Sequence, residues 1–183
     1  MIEIRIHGYG GQGSVIASQM LAYAFFLENK HAQAFPTFGA ERRGAPVEAF
    51  VRQDDKFINL RSKVISPNYV VIMAERLSKV IDVTVGLKKD GLLLINSNKN
   101  PEEFDHLKRD FQIKTIDMNA IAIRHNLGSK ISPFINTAML GGFVGLTHLV
   151  RLESLFQTVR KFITNRVQEN MEAISESYYL VQN

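Results

Sequence analysis

Residues Met1-Ile2-Glu3-Ile4-Arg5-Ile6-His7-Gly8-Tyr9-Gly10-Gly11-Gln12-Gly13-Ser14 open the chain, and their reading decides the fold. Ile2, Ile4 and Ile6 alternate with Glu3 and Arg5, which is the period of a half-buried strand. Gly8-Tyr9-Gly10-Gly11-Gln12-Gly13 follows at once and satisfies G-x-G-x-x-G. Beyond it Ile16, Met20, Ala24 and Leu27 recur at helical spacing, which predicts an amphipathic helix over 14–28 with those residues inward. A glycine turn between strand and helix lets the backbone bend tightly. It can also aim the N–H groups of the helix start at an anion.

The turn admits two readings, a phosphate cradle or a plain strand-to-helix turn. Binding of a nicotinamide cofactor needs an acidic residue about 20 positions on to hold the ribose. The second strand, Ala32–Phe35, instead ends in Phe35-Pro36-Thr37. No Lys-Ser/Thr pair follows Gly13, so the turn is not a P-loop. It is not the G-x-S-x-G elbow of hydrolases either.

Further along, Val47–Arg52 alternates and meets Asp54-Asp55-Lys56. Phe57–Leu60 reads as the returning arm of a hairpin over 47–60. Tyr69–Met73, Leu92–Ile95 and Gln112–Ile116 read as buried strands. A helix of about ten residues is expected after Tyr69–Met73, ending near Gly86. Asp117 is placed to cap a helix running to Asn126-Leu127-Gly128. Residues 137–150 are apolar nearly all round and contain Gly141, Gly142 and Gly145, each costing about 1 kcal/mol against alanine in a helix. Close packing against the sheet or another subunit would offset that cost. Leu152, Leu155, Phe156, Val159, Phe162 and Ile163 form one helical face, and Val167, Met171, Ile174, Tyr178 and Val181 another.

Strands alternating with helices predict an α/β fold. It is a Rossmann-like, mainly parallel open sheet with helices on both faces, a β-hairpin insertion and a helical C-terminal third. The 183 residues fit one domain, 1–183, with 45% hydrophobic and 22% charged residues. There is no cysteine, which excludes disulfides, thiolate-bound zinc, a cysteine nucleophile and any iron–sulfur cluster held by this chain's thiolates. The net charge of +4 permits an anionic ligand or partner. No apolar run approaches the ~18 residues of a membrane span, and the charged start is unlike a signal peptide. The expected location is cytoplasmic.

The stretch Phe35-Pro36-Thr37-Phe38-Gly39-Ala40-Glu41-Arg42-Arg43-Gly44-Ala45-Pro46-Val47 is stiffened by prolines and freed at its glycines. It can present Glu41, Arg42 and Arg43 to an acidic group or a partner chain, or it can be a solvated turn. Three stretches together carry a resemblance. Gly8–Gly13, the run Phe38–Val47 and Asn136-Thr137-Ala138-Met139-Leu140-Gly141-Gly142 resemble, in order, the gamma subunit of 2-oxoacid:ferredoxin oxidoreductases. The resemblance covers essentially the whole chain. The Glu-Arg-Arg-Gly-Ala-Pro form is similar to that of pyruvate-type and branched-chain-type enzymes. The 2-oxoglutarate type more often has Glu-x-Arg-Gly-Gly. Ala40 stands where that family commonly has proline.

The resemblance implies a multi-subunit enzyme that converts a 2-oxoacid and coenzyme A to acyl-CoA and carbon dioxide while reducing ferredoxin. Thiamine diphosphate, magnesium and iron–sulfur clusters would lie on partner subunits, with no cofactor and no catalytic residue on this chain. Its partners would be alpha, beta and ferredoxin-like delta subunits. Candidate ligand-binding or interface residues are Gly8, Gly10, Gly11, Gln12, Gly13, Glu41, Arg42, Arg43, Gly44 and Asn136. The alternative is a stand-alone nucleotide- or flavin-binding module.

The remaining polar residues read as structural. His7, His31, His106, His125 and His148 show no metal-ligand spacing. Asp54-Asp55 and Glu102-Glu103 read as solvated turns and Asp117 as a helix cap rather than a catalytic acid; for Asn136-Thr137 a helix cap is the reading that competes with a ligand or interface role. The lysines are dispersed, which argues against nucleic-acid binding.

Overall fold

A computed structural model describes residues 1–37, 44–107 and 110–182. Among these, six strands form one sheet: β1 (Ile2–Tyr9), β2 (His31–Pro36), β3 (Pro46–Asp54), β4 (Tyr69–Ile72), β5 (Leu92–Asn96) and β6 (Gln112–Ile116). Their spatial order is β2-β3-β1-β4-β5-β6. The β1–β4, β4–β5 and β5–β6 pairs are parallel, and β3 runs antiparallel to both β1 and β2. The sheet is thus mainly parallel, with one reversed strand.

Alternation sorts the strand residues between two cores. Ile4, Ile6, Val51, Val71 and Leu94 face the helices α1 (Ser14–Leu27), α2 (Met118–Arg124), α3 (Asn136–Thr147), α4 (Leu152–Phe162) and α5 (Val167–Leu180). Val70, Ile72, Leu93 and Ile95 face Leu77, Phe104 and Leu107, carried by 3-10 helices Glu75–Lys79 and Pro101–Leu107. Helices therefore cover both faces, α-helices on one and short 3-10 turns on the other. No helix among the described residues is long and apolar enough to cross a membrane.

Four local expectations change. The hairpin is β2–β3, with residues 37–45 between its arms, and Phe57–Leu60 is not a strand. Both edges of β3 are already occupied, by β1 and β2, so no ladder is left for a returning arm. The helix expected after β4 is only the 3-10 turn. The β-branched residues Ile81, Val83, Thr84 and Val85 disfavour continuation. The Asp82 carboxylate also accepts from the Thr84 N–H at 3.0 Å and its hydroxyl at 2.6 Å, which closes a turn instead.

In α1 the inward face is Ala17, Met20, Leu21, Ala24 and Phe25, while Ile16 is exposed. Helix α2 stops at Arg124, two residues before the left-handed Asn126. Asp117 does cap it, accepting from Ala120 N–H at 2.9 Å.

The glycines of α3 are explained by packing within the chain. The helix is buried from Thr137 to Gly145. An added Cβ at Gly141 would lie 2.4 Å from the Ile174 carbonyl oxygen, and one at Gly145 would lie 2.5 Å from that of Tyr178. The backbones of α3 and α5 are therefore in close contact. At Gly142 the neighbours are Met118 and Ile116.

A groove at the carboxyl ends of the parallel strands

The chain leaves β1 towards β2, whereas β4 lies on the other side of β1. The carboxyl ends of β1 and β4 therefore flank the switch point where α/β sheets hold ligands. The glycine turn sits there and is closed by its own bonds. Gln12 Oε1 accepts from Tyr9 N–H at 2.7 Å, and Gln12 N–H donates to the Tyr9 carbonyl at 3.0 Å. Gly10 N–H donates to Ala45 O at 2.9 Å, and Gly44 N–H donates to Gly10 O at 3.4 Å. These bonds extend the β1–β3 ladder past Tyr9 and Pro46. They fasten Gly10, within the turn, to Gly44 and Ala45, the described residues that precede β3.

Gly11 and Gly13 have φ of 95° and 83°, a region in which side chains are strained. Gly13 begins α1, and an added Cβ would lie 3.2 Å from Asn136 Nδ2. Gly8 is needed for closeness instead, because its Cβ would lie 3.2 Å from Ser14 Cβ. Asn136 does not cap α3: Ile135 holds that position and no side chain makes the capping bond. Thr137 turns inward, donating to Asn170 Oδ1 at 2.8 Å. The structure thus gathers Gly8, Gly10, Gly11, Gln12, Gly13, Gly44 and Asn136 at one edge of the sheet. Glu41, Arg42 and Arg43 lie outside the described residues.

Two adjoining cavities open on this edge and share Gln12 and Asn119. One, of about 590 Å³, is lined by Gly11, Gly13, Asn136, Asn165, Arg166 and the apolar Ile16, Ile131 and Phe134. The other, of about 440 Å³, lies over Met73, Glu75, Asn96, Ser97 and Asp117. In it the Glu75 carboxylate accepts from Lys99 Nζ at 2.8 Å and from the Ser97 hydroxyl. Those bonds, the one from Lys99 first, hold Glu75 below the usual carboxylate range. Asn96 Nδ2 donates to the Met73 carbonyl at 2.9 Å, and its Oδ1 accepts from Met118 N–H at 3.0 Å, which ties β4, β5 and α2 together.

Sequence reasoning missed Arg166, Asn119 and Asn96. The one local signal was the polar run Asn96-Ser97-Asn98 ending an apolar strand. Arg166 carries no such signal, although its φ of 55° marks a strained left-handed residue at the start of α5.

Beneath the same edge, His7 is 1% exposed. Burial, with the nearby Arg5 charge second, lowers its pKa to about 3. The imidazole is therefore neutral, and its 3.7 Å approach to Glu48 is not an ion pair at neutral pH. A pKa below the unfolded value of 6.5 means that the unfolded chain binds the proton first. This contribution to stability is complete above pH 6.5 and declines as pH falls towards 3. His7→Gln is expected to flatten the stability profile across that window, as urea titrations at successive pH values would show.

The arrangement does not fit a dinucleotide reader. Strand β3 separates β1 from β2, so β2 is not the neighbouring strand whose end would present a ribose-binding carboxylate. Among the described residues no three His, Asp or Glu side chains converge as a metal site. With no cysteine in the sequence, the chain offers no thiolate to hold an iron–sulfur cluster.

Comparison with known proteins gives a consistent picture. The family model described as pyruvate ferredoxin/flavodoxin oxidoreductase matches residues 3–180. Pyruvate synthase subunit PorC of Methanothermobacter thermautotrophicus is 45% identical over 179 residues, 97% of this chain and 94% of that protein. The pyruvate/ketoisovalerate oxidoreductases common subunit gamma of Pyrococcus abyssi is 42% identical over 185 residues, 100% and 98% of the two chains. The crystal structure of pyruvate oxidoreductase subunit PORC from Thermotoga maritima superposes with a TM-score of 0.82 at 34% identity, covering 97% of this chain and 95% of that one.

Proposed function

Because the chain belongs to the pyruvate ferredoxin/flavodoxin oxidoreductase family, as a gamma subunit of the pyruvate/2-oxoacid type, we propose that it serves an enzyme that oxidatively decarboxylates pyruvate. Coenzyme A takes the acyl group, carbon dioxide leaves, and the electron pair passes to ferredoxin. The full-length match to a pyruvate synthase subunit carries this reading. A branched-chain 2-oxoacid is the next substrate. The Pyrococcus relative, whose name makes it common to pyruvate and ketoisovalerate enzymes, supports a gamma chain that does not itself choose the 2-oxoacid.

Thiamine diphosphate with magnesium, and iron–sulfur clusters, supply the decarboxylation and electron transfer when bound in the alpha, beta and delta partners. This chain is inactive alone and works in the cytoplasm. Its own residues pack against the catalytic subunits and steady the phosphate-bearing end of coenzyme A. Arg42 and Arg43 are suited to that role, since planar guanidinium groups match phosphate geometry. Gly10 and Gly44 fasten the base of their loop to the glycine turn. Glu41 is the candidate to meet a partner's cation.

Replacing Arg42 and Arg43 together by alanine in the assembled complex is expected to raise KM for coenzyme A about tenfold. That corresponds to the loss of one charge-assisted hydrogen bond. The kcat and the KM for pyruvate should change little. Unchanged coenzyme A kinetics with unchanged assembly would refute the role. Unchanged kinetics with weakened assembly would make the loop an interface alone.

A further inference from the structure

The outer face of α1 is unusual for a surface helix. Its fourteen residues include no charged side chain. Phe26 is 64% exposed, and Tyr23 packs against both Phe26 and Phe162 with ring centroids 5.9 and 5.6 Å apart. Ile163, next to Phe162 in the chain, and Ile16, seven residues before Tyr23 on α1, line the 590 Å³ groove, where Phe134 is 60% and Ile131 97% exposed. A mostly apolar strip, interrupted on α1 by the exposed Gln19, therefore runs from Phe26 through the α1–α4 seam to the groove. Such largely apolar exposed surface marks an interaction site.

Arg166 is the one charged side chain among the described residues that line the groove, and exposed Lys130 and Lys161 adjoin Ile131 and Phe162 in the chain. No acidic side chain lines the groove among the described residues. Two copies of this face would bring like charges together, which disfavours self-association. The groove is concave, which suits a protruding side chain of a folded protein better than a flat bilayer.

We infer that the α1–α4 strip and its groove form the docking face for a different subunit of the same complex, one presenting an apolar knob ringed by carboxylates. This rests on the reading of the chain as a complex subunit. It deepens that reading by assigning the face and the partner's chemistry.

The test is co-expression of the full chain with its partner subunits, followed by affinity isolation and titration of the reconstituted complex. Ile131→Asp with Phe134→Asp is expected to weaken assembly at least tenfold. Lys161→Glu with Arg166→Glu should weaken it and flatten its salt dependence. Phe57→Asp, on the opposite sheet face beside His31, should leave assembly intact. Circular dichroism and thermal melts of each variant show whether it is folded. Wild-type affinity in the folded Ile131/Phe134 variant overturns the inference and leaves the subunit reading standing. A homodimer lost in that variant overturns it in favour of self-association. Pelleting with anionic phosphatidylserine vesicles that the variant abolishes, with assembly unchanged, overturns it in favour of a membrane. A wild-type chain that does not assemble at all removes both readings.

Discussion

Arg52→Ala is expected to destabilise the chain by about 4 kcal/mol, within the range for breaking a buried ion pair. Arg52 is 1% exposed on β3, and its Nε donates to Glu3 Oε1 at 2.9 Å across the β1–β3 ladder. Its Nη2 donates to the Lys63 carbonyl at 3.1 Å, holding down the segment after β3, and its guanidinium lies 5.3 Å from the Phe35 ring centre. Removing it leaves the mostly buried Glu3 carboxylate without its cation and opens a cavity. Nη1 has no hydrogen-bond partner, so the pair is imperfectly satisfied even when intact. The double replacement Arg52→Met with Glu3→Met should therefore recover most of the loss. Urea unfolding of the two single variants and the double would test this. A double variant as unstable as the sum of the singles would show that no buried pair was at stake.

Gly141→Ala should cost a net ~2 kcal/mol, against the usual direction of glycine-to-alanine changes in helices. Propensity alone would stabilise by about 1 kcal/mol. The new methyl would meet the Ser177 hydroxyl at 2.2 Å and the Ile174 carbonyl at 2.4 Å. The hydroxyl can rotate, but the carbonyl belongs to α5's backbone. Forcing the two helices apart costs about 3 kcal/mol at the upper end of overpacking. In a domain of this size the net loss lowers Tm by about 4–8 °C. Calorimetry showing a raised Tm would sink the account. Gly141→Val should prevent folding, since branching adds a second clash on the same face.

The strands and the last two helices were legible because their burial is written locally. Leu92–Ile95 is apolar on both sides because the strand has neighbours on both edges and core on both faces. Leu155 and Val159 recur on one side of α4 because the other side meets water. What was not legible depended on partners distant in sequence. Nothing within Phe57–Leu60 reveals that β3 has no free edge. Ile16 fits an inward stripe by spacing and yet points out, because α1's small residues Ala17 and Ala24 make the close contact with the sheet. The groove is assembled from the starts of α1, α3 and α5, so only its glycine turn had a local signature.

The reversed strand β3 also sets how the chain tolerates change in length. Residues 37–45 join β2 to β3, and β3's register is pinned by β1 along eight residue pairs and by β2 along six. An insertion at the loop's tip cannot shift that register without moving every β3 side chain to the wrong face. It would add only loop-closure entropy, about 0.6 kcal/mol for each doubling. The segment bearing Glu41, Arg42 and Arg43 can thus be lengthened, shortened or recomposed almost independently of the sheet. The scaffold can hold still while the reach of those side chains is retuned to a different neighbour.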